Sequence, residues 1–269
     1  KIKKEAKKLG YKPNPIAQRL STNKSRTIGI FMLNRDNIRL KESFGIEIVD
    51  GITERANRAQ YDILLFTITN DTYAQCSYLE LCKERKVEGA IFISLCSDDP
   101  QLEAIKKSDF PIAVIDLNLK GKNLGYVTSD NYSGIQRALD YLFEMGHRKI
   151  GFIKSCSGSE VSQIRFKAYQ DYLQAKDLYQ ETYVWQGDFS KESGQQVAKE
   201  ILDKENKPTA IIAANDLMAL EAMKTFKQSG LKVPQDISII GFDDILAARY
   251  SDPALTTVAQ DGIGLGKAA

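Results

Sequence analysis

The hydrophobic positions of this chain alternate between two spacings. Short apolar runs occupy residues 27–33 (TIGIFML), 61–67 (YDILLFT), 89–93 (GAIFI) and 111–115 (PIAVI). Between them, residues 44–60, 72–86 and 100–107 carry the spaced apolar positions of amphipathic helices. Apolar runs this short, each followed by a helix, predict a parallel sheet covered on both faces.

The pattern then restarts. Ile135, Ala138, Leu139, Leu142 and Phe143 follow the spacing of one helix face, and Gly146 ends that helix. Strands at 149–153 (KIGFI), 182–186, 210–213 and 237–241 alternate with helices at 161–175, 190–203 and 217–229. RTIGIF at 26–31 is echoed by RKIGFI at 148–153, 122 residues later. The prediction is two similar doubly wound halves. A ligand in such an arrangement sits at strand carboxyl ends, between the halves.

The chain's ends read differently. Ile2, Ala6 and Leu9 share a helix face, with Gly10 placed to stop it. Asn14 can cap a second helix and Pro15 fits its first position; Ile16, Ala17 and Leu20 then share a face up to Ser21. A helix this short is marginal alone and needs a partner surface. Residues 262–269 (GIGLGKAA) look like the start of a helix, so the chain is expected to continue beyond both ends.

Charge suggests what the first helices meet. Residues 1–26 hold nine Lys/Arg and one acid, Glu5, a charge of +8; the remainder holds 28 basic and 34 acidic residues, a charge of −6. A basic arm on a mildly acidic body fits a polyanion contacting the arm. Otherwise the composition is that of a globular chain, 43% hydrophobic and 27% charged. No apolar stretch approaches the roughly 20 residues of a membrane span, and no signal peptide is expected from the basic start. Cys76, Cys82, Cys96 and Cys156 form no CxxC and His147 is the lone histidine, so reduced thiols are expected and no metal or cofactor is implied. GIGLGK at 262–267 is not a phosphate loop: Asp261 stands where the first glycine belongs and Ala268 where Ser/Thr belongs. Neither a paired acid and base nor a nucleophile with a base is visible, so no enzyme is expected.

Several motifs together resemble the LacI/GalR (lactose/galactose repressor) family. They are GYKPNPIAQRLSTNKSRTIGI from residue 10, VTSDNYSGIQRALDYLFEMGHRKIGFI from 127, RFKAY from 165, GDFSKESG from 187, AANDLMALEAM from 213, VPQDISIIGFDD from 233 and SDPALTTVAQD from 251. Each is weak alone; their joint order and spacing carry the resemblance, which covers essentially the whole chain. It implies an α/β fold of two doubly wound parallel-sheet subdomains (periplasmic-binding-protein-like type I), preceded by a hinge helix and the tail of a helix-turn-helix headpiece. The implied divisions are 1–26 for headpiece remnant, hinge helix and linker; 27–128 with 259–269 for the N-terminal effector-binding subdomain; and 129–258 for the C-terminal one. The helix at 14–21 matches the hinge helix, which pairs across a homodimer and wedges Leu20 into the minor groove of palindromic operator DNA. Tyr11, Asn14, Ala17, Gln18 and Leu20 are the implied DNA contacts.

The resemblance also implies an effector pocket. Asp116, Arg165, Phe189, Asn215, Asp243 and Gln260 match family ligand-binding positions, and Phe44 takes a ring position. Two acids, an Arg, two amides and aromatic rings suit a polyhydroxyl ligand, since carboxylates accept from vicinal hydroxyls. Asp216, Asp244 and His147 are read as structural, the two acids as helix caps. The expected function is a cytoplasmic, effector-regulated repressor of sugar-utilisation genes. The alternative is a periplasmic-type sugar-binding protein of a transporter, which the basic arm disfavours. The loop at 34–43 (NRDNIRLKES) is longer and more charged than the family's Asn-Pro-Phe-Phe turn, so the effector's identity does not carry over.

Overall fold

The structure, a computed structural model, describes residues 24–34, 44–69 and 77–269. The helices expected at 1–9 and 14–21, the loop at 35–43 and the start of the helix expected at 72–86 lie outside the described residues.

Two five-stranded parallel sheets form the frame. The first contains β1 (Thr27–Asn34), β2 (Asp62–Thr69), β3 (Gly89–Ile93), β4 (Ile112–Ile115) and β5 (Leu124–Val127), in the order β2-β1-β3-β4-β5. The second contains β6 (Ile150–Lys154), β7 (Val184–Gln186), β8 (Ala210–Ala213), β9 (Ser238–Asp243) and β10 (Thr256–Ala259), in the order β10-β9-β8-β6-β7. In each sheet the first strand of that half lies between its second and third. The RTIGIF and RKIGFI echo therefore marks β1 and β6, the equivalent central strands. Each sheet has its topological switch beside that strand, where an open parallel sheet leaves a crevice at its carboxyl ends.

Helices cover the sheets: α1 (Gly45–Arg58), α2 (Tyr78–Glu84) and α3 (Leu102–Lys107) in the first half, then α4 (Asn131–Glu144), α5 (Glu160–Gln174), α6 (Lys191–Leu202), α7 (Asp216–Gln228), α8 (Leu246–Arg249) and α9 (Gly262–Ala268). Side chains one residue before the first turn fix several starts. Asp130, Ser159, Ser190, Asn215 and Asp261 each accept from a backbone N–H three residues on, closing α4, α5, α6, α7 and α9. The first core stacks Phe31 between Phe66 and Phe92, at 4.5 and 4.8 Å between ring centroids. In the second, Tyr169 packs on Phe152 at 5.0 Å and donates its hydroxyl to the carbonyl of Ile150.

The glycine-rich tail has a packing role. α9 lies against α1, and a Cβ at Gly51 would stand 2.1 Å from the carbonyl oxygen of Ile263; one at Gly266 would stand 2.1 Å from that of Ile48. Only backbones without side chains approach this closely. The tail thus returns the chain from the second sheet to the helix layer of the first.

Three elements escape the hydrophobic pattern: β5, α8 and β10. β5 and β10 are edge strands, and Leu124–Val127 leaves its two middle residues exposed. An edge strand buries less of its surface, so its apolar signal is weaker.

Candidate functional site

The candidate residues fall at strand carboxyl ends, as the topology requires. Asp116 follows β4, Phe189 follows β7, Asn215 follows β8, Asp243 ends β9 and Gln260 follows β10, while Arg165 reaches in from α5. Backbone conformation separates three of them from ordinary loop residues. Asp116, Phe189 and Asp243 hold φ of +66°, +72° and +119°, a region that side chains other than glycine seldom adopt. Strain of this kind persists where surrounding structure holds it, and it clusters at functional sites.

Arg165 organises the charged centre. It is 3% exposed, and its guanidinium lies 3.7 Å over the ring of Phe242. Its Nε donates to Asn131 Oδ1 at 2.7 Å and its Nη1 to the carbonyl of Ala214 at 2.6 Å. Nη1 also stands 3.6 Å from Asp243 Oδ1, which accepts from Gln260 Nε2 at 2.7 Å. On the side of the first sheet, Thr128 donates its hydroxyl to Asp116 Oδ1 at 2.8 Å, and Asn131 Nδ2 donates to Thr128 Oγ1 at 3.3 Å. One chain of contacts thus links Asp116, Thr128, Asn131, Arg165, Asp243 and Gln260. Thr128 and Asn131 lie on the first crossing between the halves and Gln260 on the second, so crossing residues hold each charged group.

Burial shapes the acid–base character of this centre. It pushes Asp243 up to about 8, against the pull of Arg165. Burial also raises Asp116, which the Thr128 hydroxyl and Arg165 pull down. Arg165 itself is lowered by burial, with Asp243 and Asp116 opposing. Burial shifts each acid towards its neutral form, because so little solvent remains to hold a charge. Gln260 Oε1 and Ser155 Oγ are buried without a hydrogen-bond partner. Ser155 was invisible in the sequence reading: a serine after a strand looks like any loop serine, and only burial sets it apart.

Not every expected residue joins this cluster. Phe44 sits at the start of α1 with its ring beside Gly262, and lines a groove of about 810 Å³ with Ile46, Leu220, Met223, Leu246 and Tyr250. None of the other six candidates lines that groove. Asn215 caps α7 through Met218 N and donates its amide to the carbonyl of Phe189, both at 3.0 Å, so it shapes the loop that presents Phe189. The cap assigned to Asp216 belongs to Asn215. Asp216 is fully buried and accepts from Thr257 Oγ1 at 2.5 Å and Ile245 N at 2.9 Å. Asp244 is not a cap either; it pairs with Arg249 of α8 at 2.7 Å, because the short α8 begins after Ile245 without a side-chain cap. His147 meets Thr209 Oγ1 through Nδ1 at 2.9 Å. Tyr11, Asn14, Ala17, Gln18 and Leu20 lie outside the described residues.

Among the described residues no group of three or more His, Cys, Asp or Glu is placed to hold a metal, and no helix is long and apolar enough to cross a membrane.

Known proteins share this fold. A periplasmic binding protein-like domain matches residues 139–269. The HTH-type transcriptional repressor PurR of Photobacterium profundum is 31% identical over 265 residues, covering 97% of this chain and 77% of that protein. Among solved structures, the transcriptional regulator CelR–cellobiose complex superposes with a TM-score of 0.82 at 28% identity, over 99% of this chain and 80% of that one. The Lac repressor dimer bound to operator and the anti-inducer ONPF gives 0.81 at 26% identity, over 96% and 88%.

Proposed function

Because the chain belongs to the LacI/GalR family of transcriptional regulators, we propose that it is an effector-controlled repressor of sugar-utilisation genes. In this reading it is a cytoplasmic homodimer on palindromic operator DNA. The basic residues 1–26 supply the DNA-facing arm, with Tyr11 before the hinge helix and Asn14, Ala17, Gln18 and Leu20 on it as the DNA contacts. The effector-binding subdomains span 27–128 with 259–269, and 129–258. The second copy meets the groove beside α8, where Leu246 and Tyr250 are 66% and 82% exposed.

The observation that carries the effector reading is the linked centre of Asp116, Arg165, Asp243 and Gln260, tied together by residues of the two crossings. Carboxyl and amide oxygens dominate it, and Gln260 Oε1 awaits a donor. A ligand rich in hydroxyl donors satisfies these acceptors; Phe189 offers a ring face. An anionic ligand would meet two acids around one Arg already held by Asn131 and Ala214. A sugar is therefore favoured, in keeping with the cellobiose held by the CelR relative. The ligand acts through its differential affinity for two orientations of the halves. The orientation sets the spacing of the hinge helices, and so operator affinity.

Thermal shift against mono- and disaccharides (cellobiose included), polyols, pentoses and nucleobases tests this. A rise with one sugar, abolished in Arg165→Ala, supports the reading. A rise with a nucleobase alone overturns the sugar class.

A further inference from the structure

Away from the crossings and from the groove where Phe44 and Ile46 face Leu220 and Met223, loops of the two halves also meet. The loops after β3 and β4 come from the first sheet; the loop after β6 and the first turn of α5 come from the second. Ser97 donates both its backbone N–H and its hydroxyl to the carbonyl of Gly158, at 2.9 and 3.2 Å. Asn118 donates its N–H to Glu160 Oε2 at 2.9 Å. Gly158 fits closely: a Cβ there would lie 2.7 Å from Asp98 Oδ1. These are loops at the carboxyl ends of the strands, on the rim of the cleft that holds Asp116 and Arg165.

We propose that Ser97–Gly158 and Asn118–Glu160 form a two-point latch that holds the halves together at the rim and gates the cleft. The crossings are covalent and persist through any rotation of the halves. The rim hydrogen bonds are not, and they break when the halves separate there. Each is modest, because its donor is solvent-exposed and water replaces the partner on opening. That suits a gate: a strong contact would fix one orientation, and none would leave the cleft open. Glu160 is the one ionisable side chain in the latch. It occupies the first position of α5, where a carboxylate is favoured by the helix N-terminus. As regulation of the same cleft, the latch rests on the effector reading for its purpose but not for its test.

Two cysteines report on it. Cys96 adjoins Ser97 and Cys156 lies two residues before Gly158; both are half-buried. Cys82 lies in the first core, its thiol pushed up to about 11 by burial, and serves as control. The experiment is maleimide labelling of the full-length protein, read cysteine by cysteine by peptide mass spectrometry. Glu160→Ala removes the acceptor for Asn118, and labelling of Cys96 and Cys156 rises about three- to ten-fold, the range that follows from losing one such hydrogen bond. Ser97→Ala, altering the other half, raises both by a smaller factor. Glu160→Gln keeps an acceptor oxygen and stays near the natural rate. Unchanged labelling of Cys96 and Cys156 in both alanine variants overturns the latch. A matching rise at Cys82 overturns it too, since that reports general loosening. A blank thermal-shift panel with accelerated labelling sinks the effector class and leaves the latch standing.

Discussion

Asp216→Asn isolates the cost of one buried charge. Asp216 is fully inside the second half, held by Thr257 Oγ1 and Ile245 N. Burial raises its carboxyl from 3.8 to about 6, opposed by those two hydrogen bonds and by one from the backbone of Asp244. Asparagine keeps the shape and both contacts: its oxygen accepts from Ile245 N, and its amide donates to the Thr257 hydroxyl, which can serve as either partner. The titration is removed. A carboxyl whose folded value is raised binds its proton more tightly when folded. The stability it lends is complete below 3.8 and is lost as pH rises through about 6. The loss, about two pH units, is worth about 3 kcal/mol, most of which falls between pH 4 and pH 7. The variant should therefore gain about 2–3 kcal/mol on the natural protein across that interval, or roughly 5–10 °C in Tm. Urea denaturation followed by tryptophan fluorescence measures this directly. Trp185 is the single tryptophan, 6% exposed on β7 of the same sheet, so its signal reports the correct half. A stability difference that stays flat within about 0.5 kcal/mol from pH 4 to pH 7 would refute the buried-charge argument.

Other perturbations reach different parts of the molecule. Arg165→Ala or Asp243→Ala should keep operator binding while abolishing the effector response; a full response in either, read by operator binding with and without ligand, would remove these residues from the pocket. Leu20→Ala should weaken operator affinity and leave effector binding unchanged, and equal affinity by gel shift would count against a minor-groove wedge. Gly51→Ala places a methyl 2.1 Å from the carbonyl of Ile263 and should cost at least about 2 kcal/mol in thermal melts. An unchanged melt would mean that α1 and α9 do not cross as closely as described.

Much of the frame was legible in the sequence. The apolar runs located β1, β3, β4, β6 and β8 because a buried parallel strand must be apolar on both faces, and β2 too, an edge strand that still carries a long apolar run. The echo of 26–31 at 148–153 announced the second half, since the same central strand is needed twice. The rejection of a phosphate loop at 262–267 also stood on residue types alone. The structure adds why two of those glycines, Gly262 and Gly266, are there: α9 rests its backbone on α1.

What the sequence by itself determined is what local spacing encodes: two doubly wound halves, their central strands, most helix starts, and a short list of polar residues at strand ends. Tertiary structure decided the rest. Edge strands β5 and β10 were hidden, because these four-residue edge strands bury too little apolar surface to mark themselves. Asn215 and Asp216 are neighbours of similar chemistry; one became a cap and the other a buried tether, a choice made by Thr257 and Ile245 arriving from distant segments. The linked charges of Asp116, Arg165 and Asp243 and the rim contacts of Ser97 and Asn118 depend on two sheets meeting across a cleft. No spacing along the chain records that meeting, because its geometry belongs to how the halves pack and not to the period of either.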